Sequence, residues 1–170
     1  MAQSIIRNRR VEDDRWQTLA ADATDIPHGA VIVPLALWRA RRDELLARPE
    51  PVGVWLAAGE EPADIAPDLH HLAIVAVNFP KWGDGRGYST AALLRRRFGW
   101  RGELRAFGDL GRDHLFNLAR VGFDSFRLGD RHDPHAALAA FNDFSLRYQG
   151  SVDDPEPLFR KRAAGRGVLQ

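Results

Sequence analysis

The sequence predicts an α/β fold: a mostly parallel sheet of about five strands, laid down as βα repeats. Short, largely apolar runs recur at roughly 20- to 30-residue intervals, at 30–34 (AVIVP), 52–57 (VGVWLA), 72–79 (LAIVAVNF), 103–107 (ELRAF) and 125–128 (SFRL). Strands buried on both faces of a parallel sheet read this way. Between them lie segments with apolar residues at helical spacing, and right-handed crossovers through such segments make the strands parallel. The pattern fits both an open sheet and an incomplete (βα) barrel.

Each element has its own local signal. Residues 4–7 with Val11 suggest a small β-ribbon bent at residues 8–10, and Trp16 with Leu19 is expected to cover an edge of the core. After the strand at 30–34, residues 35–48 read as one helix, with Leu35, Trp38, Leu45 and Leu46 on a shared face. Pro49 and Pro51 end it, and Pro67 breaks the helical piece at 62–69. Beyond residue 79, Tyr88 or Ser89 is expected to open a helix whose apolar face is Ala91, Leu93, Leu94 and Phe98. Arg95, Arg96 and Arg97 are assigned to its partly solvated side, a surface that would suit an acidic protein partner, and Gly99 to its end. Asp109 is expected to cap the next helix, which stops at Gly122-Phe123 in a Schellman ending. Asp133-Pro134 then gives a cap with proline at the first helical position, and Leu138, Phe141, Phe144 and Tyr148 stripe the last helix.

At 170 residues one domain is expected, residues 1–149, with 150–170 as a flexible basic C-terminal tail. Hydrophobic residues at 45% are enough for a real core. The balance of 24 basic against 23 acidic residues makes no case for nucleic acid or an anionic membrane as partner. There is no cysteine, which excludes disulfides and thiolate chemistry within the chain. The first residues carry no apolar stretch of signal-peptide length and no run approaches a membrane span, so a cytoplasmic protein is expected. Oligomeric state leaves no trace in the pattern.

Chemistry concentrates in the loop GDGRGYS, between the third strand and a helix. Gly83, Gly85 and Gly87 let the backbone turn sharply, and Arg86 with a helix start beside it suits an oxyanion. Tyr88 and Ser89 complete the ligand-binding candidate. The loop lacks the Gly-Lys-Ser/Thr ending of a Walker loop and the spacing of a dinucleotide fingerprint. In ELRAF, Arg105 points to the opposite face from Leu104 and Ala106 and needs a partner, with Glu103, Asp84, Asp109 and Asp113 available. Asp84, Arg86, Arg105 and Asp109 therefore form the candidate catalytic constellation, with a salt-bridge network that fixes strand order as the alternative. His114 is placed on a helix surface, and neither His70-His71 nor His132 with His135 has the spacing of a zinc site. Neither a metal nor a cofactor is expected.

The stretch FPKWGDGRGYSTAALLRRRFGWRGELRAFGDLGRDHLFNLARVGFDSFRL resembles the central signature of domain-of-unknown-function family 934, and the likeness extends loosely from Ile5 to Gln149. The resemblance implies association with assimilatory sulfite reduction and carries a label of oxidoreductase. Two readings follow. The favoured one is an accessory that docks on sulfite reductase or its electron donor, which leaves room for the loop's oxyanion site. The other is an oxidoreductase or small-anion-binding enzyme of the same pathway using Asp84, Arg86, Arg105 and Asp109. Two positions depart from the family pattern. Val121 stands where the family usually has cysteine, so a thiol there is not essential, and Ala91-Ala92 stands where Ala-Arg is frequent.

Overall fold

The computed structural model describes residues 3–81 and 83–142. The expected tail at 150–170, Phe144 and Tyr148 lie outside the described residues. Eight strands, where about five were expected, form one open, curled, mixed sheet, a half-barrel. In chain order they are β1 (Ser4–Arg7), β2 (Arg10–Asp13), β3 (Gln17–Thr18), β4 (Val31–Pro34), β5 (Val52–Leu56), β6 (Ile74–Phe79), β7 (Glu103–Gly108) and β8 (Ser125–Arg127). The spatial order is β2-β1-β8-β7-β6-β5-β4-β3, and β3 to β8 pair in parallel. The N-terminal hairpin supplies the antiparallel part, β1 pairing with both β2 and β8.

Of the three strands beyond the five, the hairpin pair is the β-ribbon expected at residues 4–11, and only β3 is unforeseen. Asn8 and Arg9 make the hairpin turn with φ of 49° and 62°, the positive values that a two-residue hairpin loop needs to match strand twist. β3 is only two residues long, below what periodicity detects, and is held because Gln17 and Thr18 pair with Val31 and Ile32.

Alternation along the parallel strands separates two faces. The outer face presents Val31, Val33, Val54, Val75, Val77, Leu104 and Ala106 to Leu35, Trp38, Leu94 and Leu118. These last belong to helices α1 (Leu35–Ala40), α3 (Arg86–Arg96) and α4 (Leu115–Val121). Each such side chain fully buried contributes about 1.5–3 kcal/mol. The inner face carries a smaller cluster of Ile32, Trp55, Ile74, Ala76 and Phe107, with Trp16 packed on it.

Several helix boundaries differ from expectation. The single helix at 35–48 is two, α1 and α2 (Arg42–Leu46), because Arg41 leaves helical geometry at φ −129°, ψ 31°. Its guanidinium folds back onto Glu44. Residues 62–69 form two 3₁₀ turns, Pro62–Asp64 and Ala66–His71. Asp109 is not the cap it was expected to be: a 3₁₀ turn, Arg112–His114, precedes α4. The Schellman ending is present. Gly122 takes φ +115°, Phe123 N–H donates to Leu118 O and Gly122 N–H to Ala119 O. α5 (Pro134–Ala137) starts as expected, Asp133 accepting the His135 N–H at 2.9 Å, and runs into a 3₁₀ turn at Leu138–Asn142.

Candidate functional site

The glycine-rich loop lies at the carboxyl end of β6, where ligands meet parallel sheets. Its acid organises it. Asp84 Oδ1 accepts the Arg86 N–H at 3.1 Å, which starts α3 at Arg86 and not at Tyr88 or Ser89. Ser89 is consequently an exposed residue inside the helix. The same carboxylate takes the Arg86 side chain, Nε at 3.0 Å and Nη2 at 2.7 Å. These bonds hold the Asp84 carboxyl at about 2, well below the ordinary 3.8. The place where an external anion would meet the start of α3 is thus filled by the chain's own carboxylate.

The three glycines do different work. Gly83 and Gly85 have open space around them. At Gly87 an added Cβ would lie 2.4 Å from the Phe79 ring, so the first turn of α3 rests directly on the end of β6. Tyr88 follows, edge-on to Phe79 with centroids 5.8 Å apart, and burial pushes its hydroxyl pKa up.

Arg105 belongs to a different part of the molecule from Asp84 and Asp109. It stands mid-strand on the inner face, its side chain 1% exposed, and it is paired with Asp14, itself 3% exposed. Nη1 donates to both Asp14 oxygens at 2.9 and 3.0 Å, Nη2 to Glu103 at 2.9 Å, and Nε to Ser125 Oγ at 3.1 Å. The structural alternative therefore describes Arg105: it ties the strap between β2 and β3, residues 14–16, to β7 and β8. Asp109 closes the end of β7, its N–H donating to Phe79 O at 2.8 Å. Of the four residues in the constellation, the structure pairs Asp84 with Arg86 and places Arg105 elsewhere, with Asp14, Glu103 and Ser125.

Three features escaped sequence reasoning. His114 is buried, and its Nδ1 accepts the Gly111 N–H at 3.1 Å, so the neutral ring carries its proton on Nε2. With Asp84, Tyr88, Asp113 and Asn117 it lines a cleft of about 400 Å³ beside the glycine loop. A second cleft of about 370 Å³, lined by Arg7, Arg15, Glu12 and Glu103 among others, opens at the amino end of β7 beside Arg105. Arg95 is the third. It turns inward to the carbonyls of Trp100, Gly102 and Gly122 and to Asp124, and so leaves the solvated row to Arg96 and Arg97. The only available signal for Arg95 was its place beside the buried Leu94.

Among the described residues no group of histidines and carboxylates is arranged to hold a metal, and no helix is long and apolar enough to cross a membrane. In comparison with known proteins, a family model described as a bacterial protein of unknown function (DUF934) matches residues 53–159. No curated protein and no solved structure matches the chain.

Proposed function

Since the chain belongs to the bacterial family of unknown function DUF934, we propose that it is an accessory protein of assimilatory sulfite reduction, acting with the sulfite reductase hemoprotein or its electron donor. The pathway comes from the resemblance in the GDGRGYS and GELRA blocks. The accessory role is favoured by one observation: the charges of the motif are spent inside the chain. Asp84 is closed by Arg86 and the start of α3, and Arg105 by Asp14, Glu103 and Ser125. Pairs closed in this way serve structure without needing a substrate. The Arg86 side chain, 63% exposed, presents its outer edge to a partner while Asp84 fixes its direction. An enzyme of the same pathway that binds a small anion at this loop is the second reading, and it requires Asp84 to release Arg86.

Growth and capture test the proposal together. A deletion strain is expected to grow poorly on sulfate or sulfite and normally on cysteine, and tagged protein is expected to retain sulfite reductase from cells grown on sulfate. Arg86→Ala should lower the unfolding midpoint only slightly, as at an exposed pair, and fail to restore growth. Normal growth of the deletion strain on sulfate and sulfite would end the pathway assignment. Full rescue by Arg86→Ala would reduce the loop to a turn.

A further inference from the structure

The upper row of the inner face differs from everything below it. Asn78 of β6, Phe107 of β7 and Arg127 of β8 are in register across three parallel strands at their carboxyl ends. The Arg127 guanidinium carbon lies 5.0 Å from the Phe107 centroid, and Trp55 meets Phe107 edge-on at 5.7 Å. One pleat down, Arg105 has every direction of its guanidinium taken by acids or a hydroxyl. Arg127 has no such partner: among the described residues it makes no ion pair and no hydrogen bond, only the contact with Phe107. Asp14, Arg105 and Asp130 act on it through space, and both Asp14 oxygens are already bonded to Arg105. Burial lowers the pKa of Arg127, so its charge is kept against a desolvation cost that a bound anion would offset. The Asn78 amide is likewise without a hydrogen bond among the described residues. Its Oδ1 faces Gly108, where an added Cβ would come within 2.7 Å, leaving the NH₂ group as the outward donor.

We propose that Asn78 and Arg127, the latter backed by the buried Phe107 ring, form a binding site for a small, flat organic anion, its carboxylate on Arg127 and an acceptor group at its other end toward Asn78. Two strand spacings put the backbones of Asn78 and Arg127 roughly 10 Å apart, too far for one inorganic oxyanion to bridge and suitable for a ring with polar groups at opposite ends. This site does not depend on the sulfite reading and is distinct from the glycine loop.

The test is an NMR titration of the full chain at low ionic strength with 4-hydroxybenzoate, benzoate and sodium sulfate. Saturating shifts are expected in the Asn78 side-chain amide, the Arg127 Nε–H and the Phe107 amide. Affinity should fall from 4-hydroxybenzoate to benzoate to sulfate. Arg127→Gln should weaken 4-hydroxybenzoate by about tenfold or more, the scale of one charge-assisted bond, while Arg86→Gln leaves it unchanged. If Arg127→Gln does not fold, Asn78→Leu should abolish the preference for 4-hydroxybenzoate over benzoate. The proposal is overturned if none of the three probes saturates, if sulfate binds as tightly as the aromatic acids, or if the shifts centre on residues 83–86.

Discussion

Two arginine–carboxylate pairs, drawn from the same residue types, do opposite things in this molecule. Arg105 and Asp14 are 1% and 3% exposed and come from sequence positions 91 residues apart. Arg86 and Asp84 are 63% and 10% exposed and two residues apart. The first pair holds distant parts of the chain together, and each partner left alone would be a charge stranded inside the protein. The second is a local clasp that starts a helix and aims a side chain outward. The position of the partner in the sequence, more than the chemistry of the pair, separates architecture from presentation.

The largest expected effect breaks the buried pair. Arg105→Ala should destabilise the protein by about 3–5 kcal/mol, because Asp14 is left buried without its cation. Urea unfolding of Arg105→Ala and of Arg105→Ala/Asp14→Asn measures it, and the double variant should recover part of the loss. A loss below about 1 kcal/mol would put Arg105 in the same class as surface pairs.

A smaller effect separates the parts of the glycine loop. Gly87→Ala drives a methyl into the Phe79 ring and should cost about 1–3 kcal/mol. Gly83→Ala, with open space around it, should stay within about 0.5 kcal/mol. Equal costs at the two positions would mean that the loop acts as one rigid unit.

The smallest effect lies in acid titration. The folded Asp84 carboxyl is depressed from 3.8 to about 2, so its contribution is present above pH 3.8 and is lost as pH falls toward 2. Asp124 runs the other way: burial raises its pKa above the ordinary value, so what it adds is present at low pH and lost as pH rises through the raised value. Carboxyl-carbon NMR titration should find Asp84 below the ordinary aspartate range and Asp124 above it. In an Arg86→Ala variant Asp84 should return towards the ordinary value.

What was legible in the sequence follows the same division between local and distant. The parallel strands 30–34, 52–57, 72–79 and 103–107, the Gly122-Phe123 ending and the Asp133-Pro134 start are each specified within a few residues, and all are found. The inward direction of Arg105 was also legible, since strand alternation alone requires it. Its partner was not: nothing in the segment around Asp14 signals that the hairpin and strap deliver that carboxylate to β7. The start of α3 was misplaced because Ser89 offers a cap in the usual residue type, whereas Asp84 captures the Arg86 N–H two residues on and begins the helix earlier. His114 and Arg95 look like surface residues by type, and only the packing of the following loops buries them. The inner row of Asn78, Phe107 and Arg127 comes from three separate segments and exists only once the register is set.

The antiparallel seam between β1 and β8 has a consequence for how the chain is made. Ile6 pairs with Phe126, so the first strand to leave the ribosome is among the last to find its place. At roughly 5–20 residues per second, synthesis holds the hairpin and its strap without their sheet for several seconds. Throughout that interval Asp14 is without Arg105, the cation that compensates its burial in the finished sheet. Contacts of such long sequence separation put the loop-closure cost at the end of folding. The nascent chain can therefore assemble β4 to β7 first, with docking of its own N-terminus as the step that completes the domain.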